Sequence, residues 1–404
     1  MRRVCWQCGN RTDDERRVRC DCGEPLWLDT DPESVPDSWP ARVESMWDAL
    51  PLLGLDQPEP PAGLPTAAGG TPLFRTESLD TEGVSVHVKH EGLNPTGSFK
   101  DRGTAFGVAE MVERGETRIG TVSHGNMAES VAAGAAAAGM DCTVLVPADI
   151  ADERLAAIAR YDPRLVRVDG DYGRLYYESL AVGRKAGVRF LNSDAPWRVA
   201  GQATTALEVL AQFHRRGDVN LDFSGAGRQS PAPDALVLPV SSGGHASGAW
   251  QAVRTLTAAG LLDSAPKLCF VQAAACAPIA EAFARGDDEV TAVEGGETIA
   301  YSIANADPPS GNRALAAARA TGGAVVAVDD DAIERAGERF AGAGVAVEPA
   351  SATTLAALSP LRERGALEDG DTAALVATGR GFGTGGAAVD ADRVELSALG
   401  SLFE

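Results

Sequence analysis

The sequence predicts an α/β protein with two lobes built on mostly parallel sheets, preceded by a small module that carries cysteines. Short apolar runs of strand type alternate with helical patterns along most of the 404 residues. Glycine-rich turns follow several of these runs, as expected where parallel strands lead into helices. Four of the seven cysteines lie within the first 22 residues. A chain of this length can bury the cores of two domains.

The composition indicates a soluble, cytoplasmic protein. Asp and Glu number 57 against 36 Lys and Arg, so the formal net charge is -21. Such a surface repels nucleic acids and anionic membranes. No apolar run has the length of a membrane span, and the first ten residues lack the apolar core of a signal peptide. Abundant acids with few lysines also predict a halophilic protein; an ordinary acidic protein from a GC-rich genome is the alternative.

The N-terminal cysteines predict a zinc-ribbon-like module over residues 1–28. Cys5 and Cys8 form one close pair, and Cys20 and Cys22 form the second. Two such pairs joined by a short loop can converge on a tetrahedral zinc ion. The second pair has one intervening residue where a zinc ribbon usually has two, so a metal-free knuckle is the alternative. Disulfides are disfavoured in a reducing compartment.

Residues 29–70 are rich in proline, glycine and acids, which predicts a linker or arm. Its apolar cluster around Trp39, Met46 and Trp47 is expected to dock on the body. A smaller lobe is expected over residues 71–195 and a larger one over 196–404. The boundary between the two lobes is expected near Ser193.

Apolar runs predict the strands of the two lobes. A helix is expected after Ser98 as its N-cap, and an alanine-rich helix from Asn126. Residues 223–233 have the composition of an exposed loop. The predicted strands cover residues 84–88, a run ending near 123, 140–147, 165–168, 188–191, 234–240, 267–272 and 371–377.

Lys100 is the strongest candidate for catalysis. The chain contains only four lysines, so arginine supplies its ordinary surface cations. Unlike arginine, a partly desolvated lysine can lose its proton, attack a carbonyl and hold it as a Schiff base. Lys100 is predicted in the first turn of a helix, where the helix dipole and unpaired N–H groups disfavour its charged form. The alternative is an exposed helix lysine.

Three further loops are expected beside Lys100 at the ends of strands. Ser123 to Asn126 open a helix whose N–H groups can meet an anion. Glycines between Ser241 and His245 let several N–H groups point at one phosphate. Thr378 offers a neutral hydroxyl at a strand end. Each loop alone is a weak signal, but together they predict a pyridoxal phosphate site.

The segment NPTGSFKDRGT around Lys100 resembles the cofactor-lysine motif of the threonine synthase family, within the fold type II pyridoxal-phosphate enzymes. Further along the chain, SHGN, NSDAPWRVAGQATTALEV, EPASA and ATGRG resemble motifs of that family in the same order. The resemblance covers about residues 71–385, and members of the family also carry cysteine-bearing N-termini. It implies a fold like the tryptophan synthase β subunit, here in an acidic, haloarchaeal-like member.

The resemblance also implies roles for individual residues. Lys100 would bind the cofactor aldehyde and move protons, Asn126 would bind the ring hydroxyl, and Thr378 would meet the pyridine nitrogen. The cofactor phosphate would lie on the backbone of Ser241, Ser242, Gly243, Gly244 and His245. The substrate's phosphate or carboxylate would be received by Ser123, Asn192, Ser193 and Arg198.

His124 departs from the family pattern, because it stands where a threonine is expected beside the substrate. It is either an added acid, base or anion donor, or a lineage substitution without a role. The loop of Ser241 to His245 also departs from the family pattern, in Ser241, Ser242 and His245. A loop that acts through its backbone tolerates such changes.

The implied reaction converts O-phosphohomoserine and water into threonine and phosphate, in an enzyme that is usually a homodimer. One alternative is a related enzyme acting on another amino acid, such as a cysteate synthase or a threonine dehydratase. Another is a non-catalytic binding protein that recognises a partner through its zinc ribbon. Intact Lys100, Asn126 and Thr378 argue against the second alternative.

Overall fold

The structure, a computed structural model, describes residues 1–123, 125–148, 150–169, 172–218 and 232–380. Within these ranges the chain forms two α/β lobes and a small N-terminal module, so the predicted fold class is confirmed. None of the helices in these ranges combines the length and apolar character needed to cross a lipid bilayer.

The module is a three-stranded antiparallel sheet that depends on the body for its core. Its strands are β1 (Arg3–Cys5), β2 (Arg11–Thr12) and β3 (Leu26–Leu28), arranged in the order β2-β1-β3. Trp27 of β3 meets the ring of Trp250 edge-on, with centroids 5.4 Å apart. Trp27 and Leu28 of β3 both belong to the main apolar cluster of the body. Docking on the body therefore supplies most of its packing.

The arm over residues 29–70 also packs on the body, as its apolar cluster predicts. It contains two short helices, α1 (Met46–Ala49) and α2 (Leu64–Ala67). Met46 is fully buried, the ring of Trp47 stacks on Phe106, and the ring of Trp39 stacks on His214. The segment is a strap across the body and not a free linker.

The remaining elements alternate between strands and helices, as the sequence pattern indicates. The strands are β4 (Leu73–Arg75), β5 (Ser85–His90), β6 (Arg118–Val122), β7 (Asp141–Pro147), β8 (Arg164–Val168), β9 (Arg189–Phe190), β10 (Ala235–Pro239), β11 (Lys267–Ala273), β12 (Val325–Val328) and β13 (Thr372–Ala377). The helices are α3 (Lys100–Glu113), α4 (Asn126–Ala137), α5 (Asp152–Ala159), α6 (Tyr172–Ala186), α7 (Pro196–Asp218), α8 (Gly244–Ala258), α9 (Pro278–Arg285), α10 (Gly311–Ala320), α11 (Asp330–Gly342), α12 (Pro349–Ala356) and α13 (Leu358–Glu363).

Two sheets organise the lobes. The smaller sheet is parallel throughout, in the order β8-β7-β6-β9. The larger sheet has the order β12-β11-β10-β13-β5-β4 and is parallel except for β4. Every residue of β10 is buried, as expected for a parallel strand covered on both faces. β5 precedes the smaller sheet in the chain but pairs with β13 and β4, so these two strands, expected in the smaller lobe, belong to the larger sheet.

Helix α7 packs against both α3 and α8 and joins the two lobes. Gly201 of α7 lies directly against α3, where a Cβ atom would come within 2.3 Å of the carbonyl oxygen of Arg102. Any side chain at position 201 would push the two helices apart. This close approach fixes the helix that begins at Lys100.

A fully buried cluster of charges links α3, α7 and the larger sheet. The guanidinium of Arg102 donates to Glu91 at 2.6 Å and to Glu208 at 2.8 Å, and Lys89 donates to Glu208 at 2.6 Å. All four side chains are inaccessible to solvent. The two positive and two negative charges compensate one another, which such burial requires. The cluster anchors α3 two residues beyond Lys100.

Candidate functional site

A cavity of about 670 Å³ lies where strands of both sheets end. β6, β10 and β13 end at its wall, and α3, α4 and α8 begin there. Ligands of open α/β proteins bind at this edge of the sheet, and the volume suits a cofactor with a small substrate. The predicted site residues that line the cavity are Lys100, Ser123, Asn126, Ser193, Ser241, Ser242, Gly243, Gly244, His245 and Thr378.

Lys100 is the first residue of α3, one position later than a Ser98 cap predicts. The reason is a tether to β13, because the N–H of Phe99 donates to the carbonyl oxygen of Thr378 at 2.9 Å. Ser98 forms an isolated bridge with Gly379. Phe99 therefore occupies the cap position, and Lys100 is held opposite the end of β13.

The amine of Lys100 is unusually easy to deprotonate. Burial lowers its pKa, the positive charge of Arg198 lowers it further, and Glu348 opposes both, leaving a pKa of about 7. From the sequence alone, the helix dipole is expected to lower this pKa. In the structure, burial and the charge of Arg198 are the main causes. A substantial fraction of the side chain is thus a neutral amine near neutral pH, as nucleophilic attack on a carbonyl requires.

The loop from Ser241 to His245 presents a row of backbone N–H groups without acceptors. Within the described part of the chain, none of these five N–H groups donates a hydrogen bond. Gly243 has a φ of +88°, and a Cβ there would lie 2.5 Å from the carbonyl oxygen of Ser310. Glycine is thus required for the loop geometry. Unpaired N–H groups at the start of α8 form a cradle for an anion.

His245 contributes a neutral ring to the cavity wall. Its Nε2 lies 3.0 Å from the hydroxyl of Thr205, and its ring stacks on Phe99 with centroids 4.1 Å apart. Burial lowers the pKa of His245 to about 3. The imidazole is therefore uncharged at neutral pH and adds no positive charge to the cradle.

Asn126, Thr378 and Glu348 form a hydrogen-bonded polar group in the cavity wall. The amide of Asn126 donates to Glu348 at 2.9 Å, and the Thr378 hydroxyl donates to Glu348 at 3.3 Å. Ser351 lies 2.9 Å from the same hydroxyl. Burial raises the pKa of Glu348, although Asn126 and Lys100 oppose the shift. A hydroxyl held by two partners thus faces the cavity at the end of β13.

The expected substrate-binding residues are divided between the cavity and the layer beneath it. Ser123 and Ser193 line the cavity. Asn192 is buried behind it, accepting from the N–H of Val122 and donating to the hydroxyl of Ser179. Arg198 is also buried, and donates to Thr104 at 3.1 Å and to the carbonyl oxygen of Lys100 at 3.3 Å. His124 lies outside the described residues.

Several cavity residues carry no role in the sequence-based prediction. Glu348 belongs to the EPASA motif, so its position before a helix was a usable signal. Tyr176 and Tyr301 line the walls, but an aromatic residue in a helical or irregular segment gives no signal of its own. The ring of Tyr301, from the larger lobe, lies under the guanidinium of Arg154 from the smaller lobe, 3.6 Å from its centroid.

The four N-terminal cysteines converge as predicted, with all four sulfur atoms within 4.8 Å of one another. The sulfurs of Cys5 and Cys22 are 3.6 Å apart, as are those of Cys8 and Cys20. Zn–S bonds of about 2.3 Å place tetrahedral ligands roughly 3.8 Å apart, so the sulfur positions fit zinc. All four cysteines are free thiols.

Comparison with known proteins agrees with this geometry. The family model described as "Pyridoxal-phosphate dependent enzyme" matches residues 64–379. A threonine synthase of Methanocaldococcus jannaschii is 32% identical, covering 97% of this chain and 95% of that protein. A threonine synthase of Methanosarcina acetivorans is 33% identical, covering 83% of this chain and 79% of that protein.

A solved structure shares the fold of the described chain. A threonine deaminase from T.th. superposes with a TM-score of 0.62 at 25% identity, covering 78% of this chain and 94% of that chain. The family match spans the amine of Lys100, the unpaired N–H groups of the 241–245 loop and the hydroxyl of Thr378. The chain belongs to the pyridoxal-phosphate dependent enzyme family, among relatives that are threonine synthases.

Proposed function

We propose that this chain is a threonine synthase, a lyase that converts O-phosphohomoserine and water into threonine and phosphate. The observation that carries the proposal is a readily deprotonated Lys100 in the same cavity as an unpaired N–H cradle. The threonine synthase of M. jannaschii is similar over 97% of this chain and 95% of its own length. This coverage supports a common function beyond the shared fold.

The residues present fit pyridoxal phosphate. Lys100 would hold its aldehyde carbon, and the N–H groups of residues 241–245 would hold its phosphate. Asn126 would meet the ring hydroxyl, and Thr378 the ring nitrogen. When bound, the group supplies an electron sink for negative charge that develops on the substrate. A neutral hydroxyl at the ring nitrogen would not keep that nitrogen protonated, so the ring would be a weaker electron sink than one paired with an aspartate. This suits elimination and replacement chemistry.

We assign the proton transfers at Cα and Cβ of the substrate to the Nζ atom of Lys100. A base works best when its pKa is close to the working pH. The pKa of about 7 meets this condition. Tyr176 and Tyr301 cover the walls of the cavity and reduce the access of bulk water to the reacting atoms.

The substrate's carboxylate fits the start of α4. The hydroxyl of Ser123 faces the cavity there, and the N–H groups of Asn126 and Met127 donate to no group among the described residues. Ser193 offers a hydroxyl to the substrate phosphate from the other side. Asn192 and Arg198 would support these residues from beneath, and Arg198 retains an Nε without a partner in the described structure. A role for His124 in anion binding is part of the proposal.

A threonine deaminase activity is the second candidate. Among the described residues that line the cavity, Lys100 is the only lysine or arginine. The phosphate group of O-phosphohomoserine carries about two negative charges, whereas the side-chain hydroxyl of a hydroxyamino acid such as threonine carries none. The low positive charge of the cavity therefore favours a hydroxyamino acid, as does the fold shared with the T.th. deaminase.

We also propose a cytoplasmic homodimer with one structural zinc ion bound by Cys5, Cys8, Cys20 and Cys22. The homodimer rests on the family resemblance of the sequence. The zinc ion is supported by the spacing of the four sulfur atoms.

The test is the joint measurement of threonine and inorganic phosphate from O-phosphohomoserine, in concentrated KCl with added pyridoxal phosphate. We expect equal amounts of both products, lost in Lys100→Ala and retained in Lys185→Ala. Lys185 is an exposed lysine and serves as the matched control. Release of ammonia from threonine without any phosphate release from O-phosphohomoserine would replace the proposal with the deaminase.

A further inference from the structure

Arg19, a residue of the cysteine module, contacts residues beside the cavity from both lobes. Its Nη2 atom donates to the carboxylate of Asp194 at 3.2 Å and to the carbonyl oxygen of Pro309 at 2.9 Å. Asp194 lies between β9 and α7, at the end of the smaller sheet, whereas Pro309 precedes α10 of the larger lobe. One guanidinium thus joins the two lobes across the site.

Each hydrogen-bond partner of Arg19 is connected to the wall of the cavity. Asp194 accepts a hydrogen bond from the hydroxyl of Tyr176, and Tyr176 lines the cavity. Pro309 also lines the cavity, and the N–H of the next residue, Ser310, donates to the carbonyl oxygen of Ser242 at 2.9 Å. The contacts of Arg19 therefore lead to one wall and to the phosphate cradle.

Positively charged neighbours favour the ionised form of the Asp194 carboxyl group. It is fully buried, which raises its pKa, and the charges of Arg19 and Arg313 oppose that rise. The Arg19 guanidinium also lies 5.5 Å from the ring centroid of Tyr177. A buried carboxylate that loses a charged donor becomes easier to protonate. Its hydrogen bond with Tyr176 then changes in strength as well.

The cysteine loop fixes where Arg19 points. Arg19 directly precedes Cys20, and its side chain donates to the carbonyl oxygen of Gly23 within the turn from Cys20 to Glu24. The carboxylate of Glu24 accepts from Asn312 of α10 at 2.8 Å. Cys20 and Cys22 of this turn are two of the four cysteines whose sulfur atoms converge. Metal held by the four cysteines would thus hold Arg19 in place.

We propose that Arg19 is a positioning residue through which a zinc ion on the four cysteines holds the cofactor cavity closed. Zinc would be structural for the module and would also tighten cofactor binding at a separate site, through the contacts of Arg19 with both lobes. The inference requires the cofactor site and does not depend on the identity of the substrate.

The experiment measures pyridoxal phosphate affinity and hydrogen exchange without substrate, in the wild type and in Arg19→Ala. We expect about tenfold weaker cofactor binding in the variant. Faster exchange is expected in peptides that contain Tyr176 and Pro309. Arg19→Lys keeps a charged donor and should restore part of the affinity. Arg11→Ala is the matched control, because Arg11 pairs with Asp29 beside the module and has no hydrogen bond to a cavity residue within the described ranges.

The metal half of the inference is tested by removing zinc with a chelator. The wild type should then bind the cofactor as weakly as Arg19→Ala, and readdition of Zn²⁺ should restore it. Arg19→Ala should lose little further affinity on zinc removal, because both changes act on the same contact. The proposal would be overturned if zinc removal and Arg19→Ala caused additive losses of cofactor affinity. It would also be overturned if Arg19→Ala bound the cofactor as tightly as Arg11→Ala. Threonine formation is not measured in either arm, so failure of the proposed activity leaves this test unaffected.

Discussion

The guanidinium of Arg198 lies behind Lys100 and donates from Nη2 to its carbonyl oxygen at 3.3 Å. It holds the first turn of α3 and at the same time lowers the pKa of the Lys100 amine. Glu348 acts on the same amine with the opposite sign. The reactivity of Lys100 is thus set by burial and then adjusted by two residues of opposite charge.

We expect capture of pyridoxal phosphate by the apoenzyme to follow deprotonation of Lys100. The capture rate should rise with pH through a midpoint of about 7. Arg198→Met removes a positive charge and should move the midpoint upward, by roughly one pH unit. Glu348→Gln removes a negative charge and should move it downward. Stopped-flow absorbance after mixing apoenzyme with the cofactor gives the midpoints; shifts of the same sign in both variants would contradict the assignment.

The buried cluster around Arg102 should make stability depend on acid. Burial alone would raise the pKa of Glu91, but the charge and hydrogen bonds of Arg102 outweigh it and hold the pKa at about 2. Because the folded pKa is depressed, Glu91 contributes stability above its unfolded pKa of about 4.3, and that contribution is lost as pH falls toward 2.

The measurement for this cluster is the free energy of unfolding in urea at several pH values. Glu91→Gln should lose about 3 kcal/mol at neutral pH, and the difference from the wild type should shrink as pH falls from about 4.3. Glu82→Gln, an exposed carboxylate, is the control. A difference that stays constant with pH would show that Glu91 is not ionised in the folded protein.

Local patterns account for most of the fold that the sequence predicts. β10 and the helix that carries Lys100 could be predicted from the sequence, because the patterns typical of strands and helices involve neighbouring residues. β12 was not predicted, because a strand of four residues between two helices is too short to show a clear pattern of apolar residues. The antiparallel strands of the module also escaped, since two or three residues cannot establish an alternation.

The site was predictable where chemistry follows from a local motif. Lys100 and the 241–245 loop line the cavity, while the roles assigned to them stay predictions. The burial of Arg198 and the contact of Arg19 with Asp194 were not predictable, because both depend on packing between segments distant in the chain. For the same reason Glu348 could be recognised as part of a motif but not as a partner of Asn126.

The cysteine cluster should bind one zinc ion per chain. Four sulfur atoms within 4.8 Å of one another provide the complete ligand set of a closed structural site. Cys22→Ser should abolish most zinc binding, whereas Cys142→Ser, outside the cluster, should leave it unchanged. Zinc released by a thiol reagent and measured with a chromogenic chelator tests both variants. Equal zinc content in both variants would contradict the assignment.

The net charge of -21 should make stability depend on salt. Repulsion among acidic side chains is screened over about 10 Å at 0.1 M salt and about 3 Å at 1 M. We therefore expect the midpoint of thermal unfolding to rise as KCl is added and to level off once repulsion is screened. Sucrose at matched osmolality controls for solvent exclusion. A midpoint that responds equally to sucrose and KCl would argue against adaptation to high salt.

Gly243 should be more important for cofactor binding than for folding. Its φ of +88° strains any other residue, and a Cβ would lie 2.5 Å from the carbonyl oxygen of Ser310, so the cradle must shift. Gly243→Ala should weaken pyridoxal phosphate binding on the order of a hundredfold, equal to about 2.7 kcal/mol.

The matched control is Gly260→Ala at the end of α8, where φ is +74° and no atom lies within 4 Å of the added Cβ. This variant carries the same backbone strain without the clash, so it should lose about 1 kcal/mol of stability and keep its cofactor affinity. Fluorescence titration of each apoenzyme with the cofactor, beside urea unfolding, separates the two effects. Equal losses of affinity in both variants would mean that strain alone, and not the contact of Gly243 with Ser310, determines the shape of the phosphate cradle.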